Sequence, residues 1–244
     1  MKIAVISDIH GNMQALESVL EDAKEQKCEK ILCLGDLAMA GPQPRMTIDF
    51  IQEQKNWEII QGNTDKLIGD FCPEYMEEVK SHFPIMANAL AEEILYLSDE
   101  QKEYLRTLPE NKILSIEGVR IMMVHGSPRR NNENIFPNMP ISEIEEIFKE
   151  DLADLTFCGH THIPCGYQTN KKQTIVNVGS VGRPMTKDAK ACYVVANIEN
   201  GGFSIEHRFL DYDRKLAADI LMQRTFEGKE QVAQMLLHPD KRHV

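Results

Sequence analysis

Asp8, His10, Asp36, Asn63, His125, His160 and His162 are the residues of this chain whose types and spacing could do chemistry. Together they offer four imidazoles, two carboxylates and one carboxamide oxygen, and a metal site is the arrangement that uses such a mixture well. Seven donors exceed what one four- to six-coordinate ion takes. They suit two divalent cations about 3.5–4 Å apart that share a bridging carboxylate.

Each donor stands where a short apolar run breaks. Ile3 to Ile6 gives way to Ser7, Asp8, Ile9, His10, Gly11, Asn12; Lys30 to Leu34 ends in Gly35, Asp36; and Trp57 to Ile60 is followed by Gly62, Asn63, Thr64, Asp65. Val119 to Val124 runs into His125, Gly126, and Leu155 to Cys158 into Gly159, His160, Thr161, His162. Open α/β sheets place ligands at strand C-terminal ends, because the loops that follow leave a crevice there. Five strand ends carrying polar groups beside a glycine therefore point to one common site.

The intervening stretches supply helices and further strands. Asn12 is a plausible N-cap for a helix whose apolar residues Ala15, Leu16, Val19, Leu20 and Ala23 recur at helical spacing. A short helix is expected over Thr47 to Gln54. A helical insertion is expected at about 66–109, including the apolar run Ala87 to Leu97 and a capping box at Ser98 and Gln101. Its aromatic and imidazole residues Phe71, Tyr75, His82, Phe83 and Tyr96 are read as packing residues rather than as the roof of a pocket. Lys112 to Ile116 is a strand, and Ser142 with Glu145 has the spacing of a capping box opening a helix to about Lys149. Short β runs follow at Cys165 to Thr169, Thr174 to Val178, Ala191 to Ile198 and Phe203 to Phe209, then helices over Arg214 to Gln223 and Lys229 to Leu237. No repeat or linker divides the chain, so residues 1–244 read as a single domain.

Composition restricts the partners. A formal charge of −11, from 38 acidic and 27 basic residues, offers no positive surface for general nucleic-acid binding or for anionic membranes. With 42% hydrophobic residues the chain has enough apolar material for a sizeable core, and no segment approaches the roughly 18 apolar residues of a membrane span. Six scattered cysteines without a CxxC pair fit reduced thiols and a cytoplasmic location. Oligomeric state leaves no mark in the sequence.

The succession Asp8-Ile9-His10, Gly35-Asp36, Gly62-Asn63, His125-Gly126 and Gly159-His160-Thr161-His162 resembles the calcineurin-like metallophosphoesterases over residues 1 to about 210. The Ser7 to Asn12 box, the Gly35 to Pro42 loop and the stretch Asn177 to Gly182 look like a bacterial and archaeal branch of phosphodiesterases related to dinucleoside-tetraphosphate hydrolases. The resemblance implies an α/β fold, a four-layer α/β/β/α sandwich of two face-to-face sheets with helices outside. It implies a first metal held by Asp8, His10, Asp36 and His162 and a second by Asp36, Asn63, His125 and His160, with Asp36 as the bridge. Two divalent ions are implied, Mn or Fe in preference to Zn, Ni or Mg, and a bridging hydroxide that attacks phosphorus in line. The substrate expected is small and phosphorylated, a nucleotide or another phosphodiester or pyrophosphate.

One position departs from the resemblance. Many members carry His after the metal-binding Asn, where it assists the leaving oxygen; here Thr64 stands there, and Asp65 keeps the acidic position that follows. Loss of general-acid help favours good leaving groups. Asp65 and Arg183, the latter just after the Gly179 to Gly182 loop, are expected to assist Asp36 and Asn63 in catalysis, with His82 and Arg45 as other substitutes for the missing imidazole. Two further readings compete: an asymmetric diadenosine-tetraphosphate hydrolase, and a protein-interaction scaffold with a degraded metal site, as in a retromer subunit. The intact ligand set disfavours the scaffold.

Overall fold

A computed structural model describes residues 1–238 of the chain. In order, the elements are β1 (Lys2–Ile6), α1 (Met13–Glu25), β2 (Lys30–Cys33), α2 (Pro44–Gln52), β3 (Trp57–Ile59), α3 (Asn63–Gly69), α4 (Pro73–His82), α5 (Pro84–Tyr96) and α6 (Asp99–Thr107). There follow β4 (Asn111–Ile116), β5 (Val119–Val124), α7 (Ile141–Ile147), β6 (Leu155–Cys158), β7 (Cys165–Gln168), β8 (Thr174–Asn177), β9 (Ala191–Glu199), β10 (Gly202–Leu210), α8 (Arg214–Leu221) and α9 (Lys229–Leu237).

The strands form two five-stranded sheets, β10-β9-β1-β2-β3 and β4-β5-β6-β8-β7. The ligand-bearing strands pair in parallel, β1 with β2, β2 with β3, and β5 with β6, so their C-terminal ends fall on one side of each sheet. Strand alternation then builds four layers. Ile3 and Val5 of β1 face Ile121 and Met123 of β5 and Leu155 and Phe157 of β6 in an apolar layer between the sheets. Ala4 and Ile6 turn to the other side and pack under α1, α2, α5, α8 and α9. Met122 and Val124 turn outward beneath Ile144 and Ile147 of α7. The expected α/β/β/α sandwich follows from this two-residue period.

Local chemistry sets the element boundaries. Asn12 caps α1 by accepting from Ala15 N at 3.2 Å, and the Ser98–Gln101 box closes in both directions. α2 starts earlier than the periodicity indicated, at Pro44, whose fixed φ suits the first helical turn. The second capping box does not form: Pro140 stands at the N-cap position of α7 without a side-chain cap, Ser142 lies inside the helix, and Glu145 Oε1 instead accepts from Asn170 N at 2.8 Å. Ile68 of α3, Ala89 and Leu90 of α5, Leu97 just after it and Leu105 of α6 join the same apolar cluster as α1 and α8, with Met76 and Val79 of α4 packed against it, so these helices cover the first sheet. Among the described residues no helix is long and apolar enough to cross a membrane.

Candidate metal centre

The loops after the strands are stitched together before any side chain is considered. Asp8 N donates to Gly35 O, His10 N to Asp36 O and Gly11 N to Leu37 O, which fixes the β1 loop against the β2 loop; Gly159 N donates to His125 O in the second sheet. The stretch Asn177 to Arg183 ties the two halves. Asn177 Nδ2 donates to Gly159 O at 2.8 Å and Thr161 Oγ1 at 2.9 Å, shaping the turn that presents His160 and His162. Ser180 Oγ donates to Asp8 O at 2.8 Å, and Gly182 N donates to the same carbonyl.

These loops hold five ligand residues in the left-handed region: Asp8 (φ 56°), His10 (47°), Asp36 (55°), His160 (66°) and His162 (60°). Each costs about 1–2 kcal/mol for a residue with a Cβ, and such strain persists where the surroundings over-determine it. Gly62 is required for a different reason: a Cβ there would overlap Asp36 Oδ1 and the Asp36 amide nitrogen.

The imidazoles are oriented by carbonyls. His10 Nδ1 lies 3.1 Å from Ala38 O and 3.2 Å from Met39 O, His125 Nδ1 lies 2.7 Å from Leu34 O, and His162 Nδ1 lies 2.8 Å from Arg183 O. A carbonyl only accepts, so Nδ1 carries the proton in all three and Nε2 turns into the site. Those nitrogens meet other acceptors: His10 Nε2 is 3.2 Å from His162 Nε2, His162 Nε2 is 3.2 Å from Asp8 Oδ1, and His125 Nε2 is 3.5 Å from Asp36 Oδ2. Asp8 Oδ1 is buried with no hydrogen-bond partner. Imidazole nitrogens converging on one another, with a buried carboxylate oxygen among them, form a candidate donor set for a divalent cation.

Two triads arise in which every ligand atom lies within 4.8 Å of the others, Asp8-His10-His162 and Asp8-Asp36-His125. Asp36 Oδ2 stands between His10 Nε2, at 3.7 Å, and His125 Nε2, where a bridge would be. Its Oδ1 is occupied by Thr64 N at 2.9 Å. Asp8 Oδ1 lies 3.8 Å from His125 Nε2 as well as 3.2 Å from His162 Nε2 and so belongs to both triads. Asn63 Oδ1 faces His160 Nδ1 at 2.8 Å and His125 Nε2 at 3.0 Å.

Charge in the metal-free chain follows from burial and these neighbours. Burial alone would raise Asp8, but His162 and His125 outweigh it and hold the carboxyl at about 2. Burial likewise opposes ionisation of Asp36, and His125 with His10 keeps it below the usual carboxylate range. His125 resists burial because Asp36 and Asp8 push it up to about 10, whereas burial and the neighbouring His162 press His10 down to about 3. His10 therefore presents an open lone pair at neutral pH.

The ligands floor a cleft of about 550 Å³ whose lining includes His10, Asp36, Asn63, His160, His162 and Arg183. Thr64 lines it too, and its Oγ1 is buried without a hydrogen-bond partner, as is Asn131 Nδ2 on the loop after His125. Asn131 carries no signal in the sequence, since an Asn in the polar run Arg129 to Asn134 is indistinguishable from its neighbours. The far wall is apolar: Leu67, Tyr75, Val79, Phe83, Met86 and Met185. Tyr75, His82 and Phe83 thus do form part of a roof, with Phe83 65% exposed at the rim, whereas Phe71 packs on the core.

Two expected catalytic helpers sit elsewhere. Arg45 lies in a separate cavity of about 900 Å³ with its guanidinium 4.7 Å from the Tyr96 ring centroid, too remote to serve as a general acid. Asp65 is fully buried behind the site, where its oxygens accept from Asp36 N at 2.7 Å, Leu37 N at 2.9 Å and Gly62 N at 2.9 Å. It positions Asp36 and does not face the cleft. Burial and the Asp36 charge raise its carboxyl to about 7. Arg183 does line the cleft; its guanidinium nitrogens lie 3.5 Å from Met86 Sδ, and burial lowers its pKa while Asp36 opposes the shift.

The calcineurin-like phosphoesterase superfamily domain matches residues 1–201, the stretch that contains every candidate ligand above. The chain belongs to the calcineurin-like phosphoesterase superfamily. As a calcineurin-like phosphoesterase it is a hydrolase, and the family's need for divalent metal falls on the cluster of Asp8, Asp36 and the imidazoles. It is 27% identical over 237 residues to an uncharacterized protein of Methanocaldococcus jannaschii, covering 91% of this chain and 92% of that one. It is 24% identical over 193 residues to the phosphodiesterase YfcE of Escherichia coli, covering 75% and 81%. The crystal structure of the hypothetical protein PH1004 from Pyrococcus horikoshii superposes with a TM-score of 0.87 at 26% identity over 98% of both chains. That match extends the common fold through the helical insertion and the C-terminal helices.

Proposed function

We propose that this calcineurin-like phosphoesterase hydrolyses phosphodiester or nucleotide pyrophosphate bonds, using two divalent cations, Mn or Fe, held by Asp8, His10, Asp36, Asn63, His125, His160 and His162. The observation that carries the reading is the inward convergence of three imidazole Nε2 atoms, each ring fixed by an Nδ1–carbonyl bond, around Asp8 Oδ1, which has no hydrogen-bond partner. Cations so held supply Lewis-acid charge neutralisation and lower the pKa of water. The rest falls to the chain's own groups.

Asp36 stands between the two sets of imidazoles, and the Asp65 carboxylate fixes its backbone through Asp36 N and Leu37 N. Asn131 Nδ2 and Thr64 Oγ1, both without partners in the cleft, donate to non-bridging phosphoryl oxygens, and Arg183 adds positive charge beside them. Thr64 is a poor acid, so the leaving oxygen must depart with little protonation. That favours aryl esters and phosphoanhydrides. The wall of Leu67, Tyr75, Phe83, Met86 and Met185 supplies an apolar resting place for the organic group of such a substrate. Six unpaired thiols agree with work in a reducing cytoplasm. The name of the YfcE relative, a phosphodiesterase, supports the same reaction class.

The test is hydrolysis of a chromogenic aryl phosphodiester by the purified chain in Mn²⁺. Asp36→Asn and His125→Ala should each abolish turnover, and activity retained in either variant sinks the reading.

A further inference from the structure

Glu93 belongs to α5 of the helical insertion and is fully buried, with its hydrogen bonds going to backbone N–H groups and Arg224. Its oxygens accept from two consecutive backbone N–H groups, Met39 N at 2.8 Å and Ala40 N at 3.2 Å. Both residues are left-handed, with φ of 82° and 57°, a conformation neither adopts cheaply. The two peptide groups concerned are those whose carbonyls, Ala38 O and Met39 O, accept from His10 Nδ1. Each peptide therefore donates its N–H to Glu93 and accepts from His10 with its C=O. Hydrogen bonds in such a chain polarise one another, and a carboxylate behind a metal-binding imidazole orients the ring and raises its basicity.

Arg224, just after α8, backs this carboxylate. Its Nη2 lies 3.3 Å from Glu93 Oε2, its Nη1 donates to Gly41 O at 2.6 Å and its Nε donates to Glu92 Oε2 at 2.8 Å. Gly41 in turn lies so close to His10 that a Cβ would overlap the His10 carbonyl oxygen. Burial raises the Glu93 carboxyl, while Arg224 and the two N–H groups favour its ionised form. Asp65 repeats the device on the neighbouring peptides, so two buried carboxylates clamp the loop from 36 to 40.

We propose that Glu93, backed by Arg224, is a positioning residue for His10, carrying its charge through two peptide groups to the imidazole that grips the first cation. The helical insertion and the C-terminal helices would thereby set the affinity of a site to which they contribute no ligand. The inference rests on the metal reading of the centre.

The experiment is calorimetric titration of the EDTA-stripped full chain with Mn²⁺, with thermal melting in EDTA to gauge folding. Glu93→Gln replaces one acceptor oxygen by a donor that faces an N–H or Arg224. It should weaken one Mn²⁺ site about tenfold or more, the range seen when outer partners of metal ligands are lost. Glu58→Gln, which breaks a remote pairing with Lys30 and Lys112, should lower the melting temperature and leave Mn²⁺ affinity unchanged. If Glu93→Gln does not fold, Arg224→Lys carries the test and should weaken the same site to a smaller degree. Parental Mn²⁺ affinity in the folded variant, whether Glu93→Gln or Arg224→Lys, overturns the inference alone. A parent chain that takes up no Mn²⁺ overturns the metal reading and this inference with it.

Discussion

Stripping divalent cations should cost this protein stability as well as activity. Five ligand residues sit at positive φ, and at about 1–2 kcal/mol each the loops store about 5–10 kcal/mol of backbone strain. The net stability of a domain, with such strain already counted, is only about 5–15 kcal/mol. A cation that binds the folded cluster and not the unfolded chain returns part of that energy: about 2.7 kcal/mol for one ion at a hundred times its Kd, and about 5.4 kcal/mol for two. In a chain of this size 1 kcal/mol moves Tm by about 2–4 °C. Thermal denaturation followed by circular dichroism, in EDTA and then in stepped Mn²⁺, should show Tm rising by about 5–11 °C for one ion and about 11–22 °C for two. Asp8→Asn removes charge from the oxygen common to both triads and should lose most of the rise. Identical Tm in EDTA and at saturating Mn²⁺, or a full rise in Asp8→Asn, would refute the reasoning.

The remaining expectations concern other parts of the molecule. Thr64→His should speed hydrolysis of an alkyl phosphodiester relative to an aryl one by about tenfold or more, measured as the ratio of kcat/KM values, because an imidazole there restores general-acid help. Phe83→Ala should raise KM for a bis-aryl diester by about 2–10-fold, while a methyl aryl diester shows little change, since an aromatic contact is worth about 0.5–1.5 kcal/mol. Asp22, on α1, accepts from Arg208 Nη2 at 2.8 Å and from Tyr193 Oη at 2.5 Å, and the Arg208 hydrogen bonds hold its carboxyl below the ordinary range. Its contribution is therefore present above the unfolded pKa of about 3.9 and is lost as pH falls through the lower folded value. Asp22→Asn should cost about 1–3 kcal/mol at neutral pH and flatten the acid limb of a urea-denaturation series below about pH 4.

How much of this was legible beforehand differs from element to element. β1, β2, β5 and β6 are short apolar runs bounded by glycine and polar residues, and such runs announce themselves through local chemistry alone. The caps at Asn12 and Ser98 were readable for the same reason, since an N-cap needs only residues within one turn. Ser142 shows the limit. The capping spacing was present, but Pro140 opened the helix and Glu145 was drawn to the Asn170 amide across the chain. Tyr75 and Phe83 could not be told from packing residues, because whether an aromatic ring lines a cleft depends on what the other sheet places opposite it.

The sequence by itself determined the candidate donor set, the strand ends that carry it and the order of strands and helices, while the layered class of fold was implied by the family resemblance. The donors, strand ends and element order rest on residue type and on periods of two and 3.6 residues. Only the tertiary structure decided that Asp8 reaches both triads, that Asp65 serves the backbone rather than the cleft, and that Arg45 points into another cavity. Only it revealed that Glu93 stands two peptide groups behind His10. The physical reason is common to all four. A side chain's role is fixed by which backbone groups and charges lie within about 3 Å of it, the range of a hydrogen bond. For residues joined across such separations, from Asp36 with Asp65 to Asp8 with His162, that neighbourhood exists only after the sheets have closed on one another.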